Sequence, residues 1–546
     1  MKEKKPDNFK EYLRFGILLI VCLFSFFVNN QVIPADLMEA RNLATAQEMV
    51  KYGTYLLPTL NGEPRIEKPP LPTWIAAGIE HLTPGNLVVQ RYAAGVSATL
   101  MVLFLYLLTA RLTRKRSVGL ITALICATSV NVMLMGRTAS WDIYTHSFML
   151  GAIYFLAMAL EERGAQWNNF LLAGVFAGLS FLSKGPVSMY ALLIPFLISF
   201  ILIKRPHISE KKWAIAGMIC LCIVVSFWWY GYTYLFQKDF TVGVMQKESA
   251  AWLSYNVRPW YYYWQFPAEA GVWALYWVAA IVYFFLNKKT VLQKGNRLAF
   301  IWFTASLILI SIIPEKKMRY LLPLLIPGSM LTGIYLFQMI TAAKTKGEKL
   351  VFLILSMVVT LVLFALPFAL YFLFFREKQI SVFVFVAATV SAWGLCIFMI
   401  TSLFGKKGIN PTRVFVGILL TVVMIAGIYL RPLGNLLIND ERQSIRVLNE
   451  NKDITDLIYY CNAKEELRME LVYEANNRII KLDPEDDAAI ENALPFVFIS
   501  SESIEKLMTN KKVLVEFIGV YDHNWRKKTD KRHNPDLVKE VAIIRR

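Results

Sequence analysis

A chain of 546 residues that is 56% hydrophobic and only 18% charged is not composed like a soluble enzyme of its length. Apolar runs of about 15 to 25 residues recur roughly a dozen times, as a bilayer requires and a single water-soluble core does not. A net charge of +18 would point to nucleic acid in a soluble protein, but the Lys and Arg lie in short segments between apolar runs, so the charge is a topology signal and no nucleic-acid partner is expected.

Thirteen spans are expected near 15–30, 90–110, 118–135, 143–160, 168–182, 187–203, 213–232, 270–287, 298–313, 320–341, 349–373, 380–403 and 413–430. The first run, Phe15 to Val28, follows MKEKKPDNFKEYLR, and no small-x-small cleavage site follows it, so it reads as a retained signal anchor. Thirteen spans put the termini on opposite sides. With the N-terminus in the cytoplasm, RLTRKRS (111–117), KRPHISEKK (204–212), NKKTVLQKGNR (287–297), AAKTKGEK (342–349) and GKKGINPTR (405–413) all face inward, each short and basic. Anionic lipid headgroups are their natural neighbours. Cys22, Cys126, Cys220, Cys222 and Cys396 fall in apolar spans, and Cys461 is alone in the tail, so no disulfide within the tail is expected.

The expected division is a membrane domain, 1–430, with external loops at 31–89 and 233–269, and a small exported α/β domain, 431–546. In the first loop, Met38, Leu43, Ala46 and Val50 recur at helical spacing, which predicts an amphipathic helix able to lie along the membrane surface and ended by Gly53. LLPTLNGEPRIEKPPLPTW then supplies an Asn-Gly turn and four prolines. Pro69 and Pro70 lock φ and would hold Glu67 and Lys68 in a stiff extended segment, as a catalytic loop requires.

Later external connections add charge where Lys and Arg should be scarce. GRTASWD carries Arg137 and Asp142, which read either as a salt bridge across the lip of the bundle or as functional groups. SKGP (183–186) sets Lys184 beside a helix break, and PEKKMRY (314–320) places Lys316, Lys317 and Arg319 on one short connection. The second loop, QKESAAWLSYNVRPWYYYWQF, is dense in rings; Trp252, Tyr255, Tyr261 and Tyr262, with Arg258, suit sugar stacking as well as an interfacial aromatic belt. In the tail, LIYYC, RIIKL, FVFIS, VLVEFIGVY and VAIIR read as strands, ESIEKLM and KEELRMELVYEA as helices, and ERQSIRVLNENKD shows helical spacing. Nothing in the spacing of His, Cys, Asp or Glu marks a metal site.

Several separated motifs now share a resemblance. MEARNLATAQEMVKYGTYLLPTLNGEPRIEKPPLPTW resembles the first extracytoplasmic loop of the polyprenyl-phosphate-dependent membrane glycosyltransferases, the family of protein O-mannosyltransferases and bacterial lipid A aminoarabinose transferases. GRTASWD, GLSFLSKGPV and SIIPEKKMRYLLPLLIP resemble its later signatures. The resemblance implies a polytopic all-α membrane domain of the GT-C type with about 13 transmembrane helices, a small C-terminal extracytoplasmic α/β domain, and active-site loops facing the periplasm from a bacterial inner membrane. It also implies an undecaprenyl-phosphate sugar as donor, lipid A or another envelope molecule as acceptor, and a monomer working among membrane lipids; no cofactor or metal is assigned. One departure stands out. The family has an Asp-Glu pair at the start of this loop, and the register of GEPRIEKPP puts Met38 at the aspartate and Glu39 at the glutamate. The base must then be Glu39, Asp36 or Glu67, or the enzyme is impaired; Glu39 assisted by Glu67 is favoured, because both lie in the best-matching stretches.

The expected reaction is a single inverting displacement. A carboxylate takes the acceptor proton, the acceptor oxygen attacks the anomeric carbon, and Lys68, Arg41, Arg137, Lys184, Lys316, Lys317 and Arg319 hold the phosphate that leaves, with Asp142 and the second-loop rings touching substrate. The rivals are a protein O-glycosyltransferase of the same fold, a transporter or flippase for an anionic lipid, which should show repeated halves, and a scaffold whose tail binds envelope components.

Overall fold

The computed structural model describes residues 8–286, 292–342, 345–406, 408–437, 439, 442–451, 454, 456–531 and 533–546. They form two compact units, Met1–Asn30 with Ile66–Pro72 and Arg91–Leu430, and Gln31–Arg65 with Thr73–Gln90 and Arg431–Arg546.

The first unit is helical, and each expected span falls on a helix: Asn8–Phe26, Leu87–Thr113, Arg116–Ala127, Trp141–Glu161, Trp167–Lys184, Ile194–Lys204, Lys212–Phe236, Ala274–Leu286, Gln293–Ile312, Leu322–Thr341, Lys346–Leu370, Val382–Leu403 and Pro411–Met424. Among the described residues, nine helical stretches are long and apolar enough to cross a membrane, and this is a multi-pass membrane protein. The span expected at 118–135 is broken because the Thr128 and Ser129 hydroxyls donate back to the carbonyls of Leu124 and Ile125 at 2.6 and 2.8 Å, competing with the helix ladder. Helix starts are written in the sequence: Thr345 and Glu348 form a reciprocal cap, and Asn410 caps a helix whose first residue is Pro411. Gly174 and Gly178, four apart on Trp167–Lys184, let the Lys212–Phe236 helix approach closely. A Cβ there would meet the Met218 carbonyl oxygen at 2.5 Å and Val225 Cβ at 2.6 Å, and small residues of this kind drive helix packing in lipid. The second loop is mostly regular, with a helix over Lys238–Ser254 and a 3-10 stretch over Trp260–Trp273.

The second unit joins the tail to two pieces of the first loop. The sequence reading kept 31–89 with the membrane domain; 31–65 and 73–90 instead pack with 431–546. The expected helix, Leu37–Tyr52, runs from an Asp36 cap to Gly53 at φ 72°. It does not offer one face to a membrane surface: ten of its residues are buried, Asn42, Gln47 and Glu48 among them. A short hairpin follows, β1 (Thr59–Leu60) and β2 (Glu63–Pro64), turned by Asn61 and Gly62 at φ 54° and 82°, the left-handed pair that an Asn-Gly turn adopts. The expected extended segment instead bends at Glu67, Lys68 and Pro70 and leads into a helix, Leu71–Leu82.

The five tail strands appear where expected: β3 (Ile458–Asn462), β4 (Ile479–Leu482), β5 (Phe496–Ser500), β6 (Leu514–Asp522) and β7 (Val538–Arg545), in the order β4-β3-β5-β7-β6. β3 pairs parallel to β4 and β5, and β7 runs antiparallel to β5 and β6. The parallel pairs are reached through short helices, Met469–Ala475 and Asp487–Ala493, as parallel strands demand. Phe496, Phe498, Ile544, Ile504, Ile490 and Met508 fill the core on one face. The helical spacing expected over 441–453 gives, among its described residues 442–451, a 3-10 turn, Ile445–Glu450.

Candidate functional site

In the membrane unit, Lys184 is the last residue of its helix, and Gly185 (φ 76°) turns the chain away. The Lys184 ammonium donates to the Asp142 carboxylate in the first turn of Trp141–Glu161, with side-chain exposures of 7% and 2%. Lys184 also stands 5.1 Å from the centre of the Tyr320 ring. The charges of Arg319 and Lys68 act on it, and that of Arg319 acts on Asp142. A buried ion pair loses hydration on both partners and needs further bonds to offset the loss.

Tyr320 is the hub of the remaining cations. Its hydroxyl donates to Glu315 at 3.2 Å, and Lys317 donates to the same carboxylate oxygen at 2.7 Å. Lys317 also lies 4.9 Å over Tyr255 and 5.7 Å over Tyr320. Lys68 donates to Glu248 at 2.9 Å, with both side chains partly open to solvent, and Glu67 is half-buried beside it. The Arg319 carbonyl accepts from the Leu322 N–H, and among the described residues its guanidinium makes no hydrogen bond or ion pair. Arg258 and Tyr261 are exposed and Tyr262 is half-buried; the side chain of Trp252 lies outside the described residues.

Two expected phosphate ligands have other work. Arg137 directs its three guanidinium nitrogens at the carbonyls of Ser25, Val28 and Phe24, each at 2.7 Å. It thus closes the C-terminal end of the first helix, where unpaired carbonyls and the helix dipole favour a cation. Burial, with Arg91 nearby, pushes its pKa down to about 10, which leaves it charged at neutral pH. Arg137 makes no pair with Asp142, which bonds Lys184. Lys316 is 3% exposed and donates to the carbonyls of Ile313 and Arg258 at 2.6 and 3.2 Å. With backbone bonds from Arg258 to Pro314 and from Lys316 to Asn256, it fastens the 313–317 connection to the end of the second loop. Burial lowers its pKa.

In the second unit, Asp36 is exposed and accepts from the Glu39 backbone N–H at 2.8 Å, so its carboxylate caps the helix. Glu39 itself is fully buried, and its charge, with that of Glu80, acts on Tyr473. The Arg41 carbonyl accepts from Arg65 at 2.8 Å. Asp36, Glu39 and Arg41 thus belong to one unit, and Glu67, Lys68, Asp142, Lys184, Lys317 and Arg319 to the other. Tyr320, Glu315 and Glu248 were not singled out as site residues from sequence, though the first two stand inside PEKKMRY, where an acid between cations signals a pair. Among the described residues no three His, Cys, Asp or Glu side chains gather as a metal site would.

Residues 67–230, which include Lys68, Asp142 and Lys184, match the family described as Dolichyl-phosphate-mannose-protein mannosyltransferase. An undecaprenyl phosphate-alpha-4-amino-4-deoxy-L-arabinose arabinosyl transferase of Pseudomonas fluorescens is 26% identical over 320 residues, 56% of this chain and 56% of the relative. An uncharacterised protein of Aquifex aeolicus is 26% identical over 369 residues, 66% of this chain and 70% of its own length. The crystal structure of ArnT from Cupriavidus metallidurans bound to undecaprenyl phosphate superposes with a TM-score of 0.68 over 98% of both chains, at 14% identity. The chain is similar to the polyprenyl-phosphate-dependent membrane glycosyltransferases. Its fold is the GT-C type of that family, a helical membrane unit with a small C-terminal sheet. The match covers just over half the length of the arabinosyl transferase, and the likeness to ArnT speaks for the fold.

Proposed function

We propose that this protein moves a sugar from a polyprenyl-phosphate carrier to a lipid-A-like glycolipid of the bacterial envelope, with inversion at the anomeric carbon. The observation that carries this reading is the gathering of cations near Tyr320, in which Lys184 pairs with Asp142, Lys317 with Glu315 and Lys68 with Glu248, while the charge of Arg319 acts on both Lys184 and Asp142. A lipid-linked phosphate is the ligand that such a set of cations fits. The naming of the Pseudomonas relative supports the sugar-lipid donor and the substrate class.

In this reading Lys184 and Arg319 hold the phosphate, Asp142 orients Lys184, and Lys68 and Lys317 exchange their carboxylate partners for phosphate oxygens. Arg137 and Lys316 build the frame and bind no substrate. A carboxylate takes the acceptor proton, with Glu39 the first candidate and Glu67 the second; the acceptor oxygen bonds the anomeric carbon, and the carbon–oxygen bond to phosphate breaks with its electrons going to the departing polyprenyl phosphate. Each cation aimed at that growing charge is worth roughly 100-fold to 1,000-fold in rate. Tyr255, Tyr261 and Tyr262 are placed to stack on sugar. The positive-inside pattern puts the N-terminus in the cytoplasm and the site on the periplasmic side.

Protein reconstituted in liposomes with undecaprenyl-phosphate-linked sugar decides the matter. We expect free undecaprenyl phosphate and sugar on added lipid A, with turnover lost in Lys68→Ala and reduced about 100-fold in Glu39→Gln. A protein acceptor is the second reading, because the family matched at 67–230 is named for one; sugar on an added exported polypeptide, and none on lipid A, would replace the acceptor. Intact donor crossing the bilayer with no sugar released would replace the enzyme by a flippase.

A further inference from the structure

We infer that the C-terminal segment is a clamp that fixes the first loop in its working geometry, with Arg478 and Asn61 as positioning residues. This rests on the proposed role of Glu39, which the Leu37–Tyr52 helix carries. All the contacts lie inside the second unit. The Asn61 amide makes two bonds with one residue at the start of β4, donating to the Ile479 carbonyl at 2.9 Å and accepting from the Ile479 N–H at 2.8 Å. β4 is the edge of the five-stranded sheet, so the hairpin turn takes the place of a strand neighbour. Arg478, one residue earlier, donates from Nε and Nη2 to Glu48 Oε2 at 3.3 and 3.2 Å, and its plane lies 3.9 Å over Tyr52.

Glu48 is the knot. Its Oε2 also accepts from Thr59 Oγ1 at 2.6 Å and from the Gly62 N–H at 3.2 Å. One buried carboxylate therefore joins the helix that bears Glu39, the hairpin and the tail. Arg65, where the hairpin ends, donates to the Arg41 carbonyl and Thr45 Oγ1 at 2.8 and 2.6 Å, and the chain reaches Lys68 three residues later. A second tether holds the far side of the loop: Arg446 donates to the Gly85 carbonyl at 2.6 Å and lies 4.9 Å over Tyr473. Fastening of this kind converts a long, entropically loose loop into a preorganised one, and small misplacements of a reacting group are costly. A tail that only recognised an acceptor would have no need of three separate attachments to the loop, through Arg446, Arg478 and Ile479.

The test uses the full-length protein with Asn61→Gly and Arg478→Ala. Asn61 stands at φ 54°, so glycine keeps the turn and removes only the amide bonds. Both variants should insert and melt close to the native protein, lose hydrogen-exchange protection over 37–65, and show kcat reduced by about 10-fold with the donor KM within about twofold; Arg478→Lys should restore most of kcat. Unchanged protection, or lost protection with kcat per folded molecule intact, would overturn the clamp. If the native protein transfers no sugar, the glycosyltransfer reading fails by itself and the exchange measurement still decides the clamp.

Discussion

In the tail, the buried carboxylate of Glu474 takes Arg442, the Ser444 hydroxyl at 2.7 Å and His523 Nδ1 at 3.0 Å, whereas in the membrane unit the buried carboxylate of Asp142 has, among the described residues, only Lys184. The tail repeats its pattern: Asp522 accepts from Asn439 and twice from Asn524, and Glu465 accepts from Lys539, Ser500 and the Ser501 N–H. There, desolvated charge is saturated by fixed donors, which is how a stable fold carries it. Around Tyr320, Asp142 and Glu248 each bond one cation, Glu315 takes Lys317 and the Tyr320 hydroxyl, and the Arg319 guanidinium bonds no acid among the described residues, which is how a fold carries charge it will give to something else. Arg137 sharpens the contrast, since the membrane unit saturates a cation fully where that cation only has to hold a helix end.

The largest effect tests the open side of this comparison. Lys184→Ala should reduce sugar transfer roughly 1,000-fold and also destabilise the membrane unit, because Asp142 is left buried and unpaired. Adding Asp142→Asn should return most of the stability, read as detergent melting, and none of the turnover. Recovery of turnover in the double variant would mean that the pair is a structural element like those of the tail.

Arg137→Ala should do the opposite. Three carbonyls lose their donors at about 1–3 kcal/mol in net cost, so the melting temperature falls while kcat and the donor KM per folded molecule hold. A raised donor KM in folded protein would return Arg137 to the phosphate site.

The contrast between Arg137 and Lys184 also marks how far the sequence could be read. The helices were legible because a bilayer forces long apolar runs, and β3 to β7 because Val, Ile, Phe and Tyr cluster between turn residues. The cap at Gly53 and the Asn61-Gly62 turn were legible as local backbone chemistry. Illegible were facts made by distant residues: that Arg137 serves carbonyls 109 to 113 positions away, that Lys316 serves Arg258, and that 31–65 packs with a segment near the other end of the chain. The Leu71–Leu82 helix did carry a signal, the prolines just before and within its first turn, which the reading of 66–70 as an extended strut obscured. For the candidate site, the basic residues stood out by type and side, but two identical-looking arginine and lysine positions differ only in what the fold brings to them.

A smaller effect probes the saturated side. Burial alone would raise Glu474, but the His523 bond, the Arg442 charge and the Ser444 hydroxyl hold it down to about 2. A carboxylate depressed in the folded state contributes stability above its unfolded value, near 4.5, and loses it as pH falls through the folded value. Glu474→Gln should therefore weaken hydrogen-exchange protection of β3 and β5 at pH 7 by a few kcal/mol, and the gap to the native protein should close between about pH 4.5 and pH 2. A gap that stays constant with pH would mean that the carboxylate's charge contributes nothing there.

The smallest expected effect separates Asp36 from Glu39. Asp36 is exposed and caps the Leu37–Tyr52 helix through the Glu39 N–H, a task asparagine performs equally well. Asp36→Asn should leave both stability and turnover near native, while Asp36→Ala should cost about 1 kcal/mol of helix stability with kcat per folded molecule unchanged. The pair of variants thus isolates charge from capping. If Asp36→Asn alone lowers kcat about 10-fold or more, the proton is taken at Asp36, and the buried Glu39 joins the saturated carboxylates of its own unit.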